Sequence, residues 1–225
     1  MPDHRLEVLE DADAVHRRGA AVIAEAARAD ISDRGHFALA VSGGRDPWPM
    51  YSQLEEFELD WTRIEIFQVD ERVAPAGSDQ RNLTHLVESL SIGAQGSIRP
   101  MPVTDDDLDA AADRYAASLP EALDIAHLGI GPDGHTASLV PGDPVLEITD
   151  KRVAVTTVEY EGARRMTFTY PELHRVRSLL WVVTGEEKVD ALRKLLARDP
   201  SIPAGRVDPG GDSLILADRA AAPGG

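Results

Sequence analysis

The stretch HLGIGPDGHTASLVPG, residues 127–142, ends an apolar run in a knot of glycine, proline and aspartate, and a histidine follows at once. The segment leading into it, LDIAHLGIG, reads as a short buried strand. Gly131 and Gly134 permit positive φ, and Pro132 stiffens the turn between them. His135 therefore stands just past the carboxyl end of a strand, at or near the first turn of a short helix. There the partial positive charge of the backbone disfavours imidazolium. A neutral imidazole can accept a proton, as a general base must. A surface or capping histidine is the plain alternative, and the rigid turn at a strand end favours the base.

Outward from this stretch, strands alternate with helices. Residues 10–30 carry Val15, Ala20, Ile23 and Ala27 at helical spacing. HFALAVSGG is a buried strand running into two glycines. A helix then starts with Asp46 as N-cap and Pro47 at its first position. TRIEIFQVDER reads as a second strand, residues 79–90 as a helix, SIGAQGSIRPMP as a loop with some extended structure, and residues 105–119 as a helix with acids in its first turn. RVAVTTV, RMTFTY, SLLWVVTG and DSLILAD read as strands, with EEKVDALRKLLARD as a helix before the last of them. Several strands are apolar throughout rather than at every second residue. That pattern predicts an α/β fold with a mostly parallel sheet covered by helices on both faces.

The chain has 225 residues, the size of one large domain, and no linker or repeat interrupts it. Residues 1–225 are expected to form a single domain. The formal net charge of −16 argues against nucleic acid as a partner. An anionic substrate would need a site that is basic against this global field. There is no cysteine, so thiolate chemistry and cysteine metal sites are excluded. No histidine pairs at i,i+4 with a helical glutamate, and no metal site is expected. The amphipathic N-terminus has no signal-peptide core, and no apolar run reaches the ~20 residues that span a bilayer. A cytoplasmic protein that spans no membrane is expected.

Ligands of open parallel sheets bind beyond the carboxyl ends of the strands. Four segments end there: VSGGRDP (41–47), QVDERV (68–73), GIGPDGHTAS (129–138) and VVTGEEK (182–188). In the first, Gly43 and Gly44 before a helix suit close approach of an anion to backbone N–H groups; a plain strand-to-helix turn is the other reading. In the second, Arg72 could hold an anion or a developing oxyanion through its fixed donor fork. Asp70 could orient a histidine or a water; an ordinary ion pair is the alternative. Lys188 begins a helix, where a cation is disfavoured unless an anionic ligand or the neighbouring Glu186 and Glu187 compensate. Of Arg164 and Arg165, one can be solvated while the other points inward. There is no Gly-x-Ser-x-Gly elbow for a serine hydrolase.

Taken together, SGGRDP, QVDERV followed by RNL, LGIGPDGHTASLVPG, RRMTFTYPEL and VVTGEEKVDAL resemble the 6-phosphogluconolactonase family, in family order over residues 39–192. The resemblance implies a modified Rossmann-like fold shared with glucosamine-6-phosphate deaminases. It also implies hydrolysis of 6-phosphoglucono-δ-lactone, a small phosphorylated sugar lactone, without cofactor or metal. On that match His135 activates water, while Asp70, Arg72, Arg165 and Lys188 line the site. Gly43 and Gly44 belong to the phosphate-side loop; Arg45 is expected to reach toward the phosphate or else neutralise Asp46, and Asn82, Gly131 and Gly134 complete the expected substrate-binding set. The chain departs from the family at Arg45-Asp46-Pro47, commonly Ser-Thr-Pro, and at Arg81-Asn82, commonly Ser-Asn. A sugar-phosphate isomerase or deaminase of the same fold would carry Asn-Glu-Pro soon after the histidine; here no carboxylate follows until Asp143. A sugar-phosphate sensor would need a basic DNA-binding segment, for which the short acidic N-terminus leaves no room.

Overall fold

The computed structural model describes residues 4–44, 47–90, 92–208 and 210–224. In chain order its strands are β1 (Arg5–Leu9), β2 (Phe37–Val41), β3 (Ile64–Gln68), β4 (Asp70–Arg72), β5 (Ile98–Arg99), β6 (Ile125–Leu128), β7 (Val153–Val155), β8 (Arg165–Phe168), β9 (Ser178–Val183) and β10 (Asp212–Asp218). Its α-helices are α1 (Ala12–Arg34), α2 (Pro47–Gln53), α3 (Asn82–Ser89), α4 (Ile92–Gln95), α5 (Leu108–Ser118), α6 (Tyr170–Leu173) and α7 (Val189–Leu196). Among the described residues, no helix is long and apolar enough to cross a membrane.

Seven strands form one sheet in the order β1-β10-β9-β6-β2-β3-β5, with every neighbouring pair parallel. Its central strands β2, β6 and β9 are almost wholly buried because both faces of the sheet are covered. Leu39, Val41, Leu180, Val182, Leu214 and Leu216 point to one side, where Val15, Ile23 and Ala27 of α1 and Met50 of α2 meet them. Ala38, Ala40, Leu179, Trp181 and Ile215 point to the other, against Ala112 and Tyr115 of α5 and Leu192 and Leu195 of α7. Burial of each such large side chain contributes roughly 1.5–3 kcal/mol. The period-2 geometry of the strand thus assigns alternate residues to two cores.

The expected parallel sheet is present, with two differences. TRIEIFQVDER is two strands rather than one. Val69 N donates to Val41 O in the main sheet, and Val69 O accepts from Phe168 N. At Val69 the chain therefore passes from one sheet to another. Asp70–Arg72 pair antiparallel with β8, which pairs antiparallel with β7, giving a small second sheet. The other difference is β1, an edge strand whose partly exposed RLEVL carries no strong strand pattern.

From β2 the main sheet grows outward through β3 and β5. The chain then returns to the other side of β2 as β6 and grows the opposite way through β9 and β10. The switch between β2 and β6 opens a crevice at their carboxyl ends, the place where such sheets bind ligands.

Candidate active site

A cleft of about 730 Å³ occupies that crevice, a volume suited to a small metabolite. Ser42, Gly43 and Gly44 after β2, Asp70 and Arg72 on β4, Gly129–Gly131 and His135 after β6, and Lys188 after β9 all line it. Asn82 opens α3 beside them, and Arg165 begins β8. All the site residues expected from the sequence lie on this cleft except Gly134, which shapes the turn behind His135, and Arg45, which with the Asp46 cap lies outside the described residues.

His135 does not begin a helix. Gly134 (φ 83°) and Ala137 (φ 49°) set two tight turns in succession, and Thr136 bridges to Leu139. The helix-terminus field expected around the imidazole is therefore absent, and a carboxylate acts on it instead. Asp133 Oδ1 lies 2.6 Å from His135 Nδ1 and also accepts the His135 backbone N–H at 3.1 Å. With Nδ1–H donated to Asp133, Nε2 is the bare nitrogen and can take a proton. Partial burial alone would raise the Asp133 carboxyl. The His135 backbone N–H, the nearby ring and its hydrogen bond outweigh this and hold it below the ordinary carboxylate value. Tyr160 closes the group, with its hydroxyl 3.4 Å from Asp133 Oδ2 and its ring edge-on to the imidazole. Gly131 lets the ring lie flat over the turn: a Cβ there would stand 2.1 Å from His135 Nδ1.

The orientation of a histidine, one of the two tasks expected of Asp70, thus belongs to Asp133. Asp70 is buried and accepts the Ser138 hydroxyl at 2.5 Å. Burial pushes its carboxyl up; the Ser138 bond and Arg165 oppose this without reversing it. Its backbone carbonyl accepts from Asn82 Nδ2 at 3.1 Å. Asn82 in turn abuts the phosphate-side loop, where a Cβ on Gly43 would fall 2.1 Å from Asn82 Oδ1, so only glycine fits.

Of the arginine pair, Arg164 is exposed and Arg165 is buried. Arg165 Nη2 donates to Tyr160 O at 2.9 Å, its guanidinium lies 5.4 Å from the centre of the Tyr160 ring, and its Nε is buried without a hydrogen-bond partner among the described residues. Arg72 Nη1 donates to Gln80 O at 2.9 Å. Between the two arginines sits a residue with no local sequence signal, Glu161. Its Oε2 is 3.4 Å from Arg72 Nη2 and 3.3 Å from Arg165 Nη2. It reaches them from the tip of the β7–β8 hairpin, at φ 51°. Lys188 has no carboxylate partner among the described residues. Its loop is anchored by buried Asp218, whose carboxylate accepts Gly185 N at 3.2 Å and Ala221 N at 2.8 Å.

The Arg81 departure is structural. Arg81 is buried with its Nε 3.1 Å from Glu71 Oε2. Glu71, itself fully buried, also accepts Arg72 N, Asn82 N and Leu83 N at 2.7–2.9 Å, and so caps α3 from outside the helix. Among the described residues, no group of three or more His, Cys, Asp or Glu side chains is placed to hold a metal ion.

A histidine–aspartate pair facing three cations, at the switch point of a parallel sheet, describes an acid–base enzyme for an anionic substrate. Residues 10–216 match the sequence family described as glucosamine-6-phosphate isomerases/6-phosphogluconolactonase, and the chain belongs to it. The 6-phosphogluconolactonase of Nostoc sp. is 33% identical over 233 residues, covering 96% of both chains. The crystal structure of 6-phosphogluconolactonase from Thermotoga maritima superposes with a TM-score of 0.87 at 27% identity, over 96% of this chain and 100% of that one. A monomeric glucosamine-6-phosphate deaminase shares the fold, with a TM-score of 0.80 at 20% identity over 96% of this chain and 98% of that one.

Proposed function

We propose that this protein is a 6-phosphogluconolactonase, hydrolysing 6-phosphoglucono-δ-lactone to 6-phosphogluconate in the pentose phosphate pathway with His135 as general base. The observation that carries the histidine's role is its bond to Asp133, which fixes the proton on Nδ1 and frees Nε2 at the cleft. Nε2 takes a proton from water as the water oxygen bonds to the lactone carbonyl carbon. Such a transfer supplies about 10²–10⁴-fold. The carbonyl π pair moves onto oxygen, and cationic donors stabilise that oxyanion. Collapse re-forms the carbonyl and breaks the bond to the ring oxygen, which takes the proton back from the imidazolium. The product acid then ionises and releases a proton to solution.

Arg72, Arg165 and Lys188 divide two tasks, receiving the oxyanion and holding the phosphate, with the Gly43–Gly44 turn on the phosphate side. The phosphate lies away from the reacting carbon, so its binding energy orients the sugar. An isomerase or deaminase of this fold needs a second acid–base group after the histidine. The first carboxylate there, Asp143, is buried and accepts Val145 N and Val158 N at 2.8 and 2.9 Å, a bracing role away from the cleft. The test is acid release from freshly made 6-phosphogluconolactone. Release well above the spontaneous rate supports the proposal, and release at the spontaneous rate refutes it.

A further inference from the structure

Beneath the Gly43–Gly44 turn lie two buried rings with no part in the chemistry above. Tyr51 of α2 and His127 of β6 are each 1% exposed and stand edge-on, with centroids 5.7 Å apart. The Tyr51 hydroxyl is 3.0 Å from Ser42 O and 2.7 Å from His127 Nδ1. These distances fix the direction of both bonds. A carbonyl only accepts, so the single hydroxyl hydrogen goes to Ser42 O. His127 must then carry its proton on Nδ1 and donate it to the phenol oxygen. His127 Nε2 is accordingly the bare nitrogen, and it is buried without a partner among the described residues. Ser42 Oγ closes the circuit by donating to His127 O at 2.9 Å. Burial, helped by nearby His16, drives the His127 imidazole down to about 3, and burial raises the Tyr51 phenol. Both rings thus stay neutral, and the chain of donors keeps one direction across the working pH range.

The consequence lies in the peptide between Ser42 and Gly43. A trans peptide is planar, and its C=O and N–H point opposite ways. Holding the Ser42 carbonyl toward the buried Tyr51 hydroxyl turns the Gly43 N–H to the opposite edge of the peptide plane, in a turn whose Ser42, Gly43 and Gly44 line the cleft. Asn82 fills the space beside Gly43 that a Cβ would take.

We propose that Tyr51 and His127 are positioning residues, which aim the Gly43 N–H at the substrate phosphate through the carbonyl of Ser42. This rests on the reading above that the Gly43–Gly44 turn is the phosphate side of a lactonase site. Tyr51 does not line the cleft, and His127 lines its inner wall. Their effect belongs to the affinity for phosphate and not to the bond-breaking step.

The experiment compares Tyr51→Phe, His127→Asn and His127→Leu with the wild type. Asparagine places an amide N–H close to the position of His127 Nδ1–H, and leucine places none. Two quantities are read: kcat and KM for the phosphorylated and unphosphorylated lactones, and the Kd of inorganic phosphate by titration calorimetry. Tyr51→Phe and His127→Leu should each raise the phosphate Kd and the KM for the phosphorylated lactone by about three- to tenfold, the size of one net hydrogen bond. Their kcat, and their KM for glucono-δ-lactone, should stay within about twofold of wild type, the spread left by small indirect effects. His127→Asn should restore the wild-type values. Folded Tyr51→Phe with an unchanged phosphate Kd overturns the inference. So does a loss shared equally by both lactones, or His127→Asn no better than His127→Leu; this pair decides the matter even where Tyr51→Phe fails to fold. A wild type that binds no phosphate also overturns it. A wild type that binds phosphate but hydrolyses no lactone instead overturns the proposed function, while the titrations still judge the positioning residues.

Discussion

Glu161→Gln should make the enzyme better. The Glu161 carboxylate stands 3.4 Å from Arg72 and 3.3 Å from Arg165, where an anionic group of the substrate would be received. The substrate must displace it or share the arginines with it. Its side chain is 61% exposed, so each pair is worth only the exposed-pair range of roughly 0.2–1 kcal/mol. Two pairs from one oxygen give about 1 kcal/mol, or roughly fivefold in affinity. Glutamine keeps the length and shape and removes the charge, so kcat/KM for 6-phosphogluconolactone should rise about fivefold. The gain also reports what the arginines do. It appears in KM if they hold the phosphate, and in kcat if they receive the oxyanion. It should shrink as salt screens the pairs. Continuous acid titration with freshly made lactone, corrected for spontaneous hydrolysis, measures both constants. An unchanged or lower kcat/KM in the folded variant would refute the view that Glu161 competes with substrate.

Other outcomes follow from the same geometry. Asp133→Asn should lower kcat strongly, by up to about 10⁴-fold as for the aspartate that sets the tautomer of a general-base histidine, and Tyr160→Phe should cost far less; steady-state kinetics on the two variants checks this. Arg72→Ala and Lys188→Ala separate by substrate: the phosphate holder should lose discrimination between phosphorylated and unphosphorylated lactone, and the oxyanion donor should slow both alike. Asp70→Asn should lower activity yet raise Tm near neutral pH. Burial raises the folded-state value of Asp70, so its ionised form burdens the fold above that value, and the burden vanishes below the unfolded value of about 3.9. Melting curves should therefore show the Tm gain, about 2–4 °C for each kcal/mol relieved, at neutral pH and not in acid.

The main sheet is legible because its central strands are apolar on both faces and end in glycine or charge. The small sheet is not: Asp70–Arg72 look like the tail of β3, and only the pairing of Val69 with both Val41 and Phe168 shows the change of sheet. The edge strand β1 was hidden by its polarity. In the cleft, Gly43, Gly44, Asp70, Arg72, His135 and Lys188 are legible as candidates because they lie in short segments at or just beyond the carboxyl ends of apolar strands. Asp133 belongs to the quoted stretch, yet the sequence reading assigns it no role. An aspartate two residues before a histidine, across a glycine, can fold its carboxylate back on both the backbone N–H and the ring, and that spacing was the available signal. Tyr160 and Glu161 reach the site from a hairpin of the second sheet, so nothing local marks them. Nothing local marks Tyr51 and His127, since only tertiary packing brings their polar atoms to Ser42.

The most direct test of the central claim is the turnover of His135→Ala on fresh 6-phosphogluconolactone, with folding checked by circular dichroism. The side chain is 24% exposed at a turn, so the fold should survive its removal. Loss of a general base should lower kcat by about 10²–10⁴-fold. A folded variant that keeps more than about a tenth of wild-type turnover would contradict the assignment of His135 as the base that activates water.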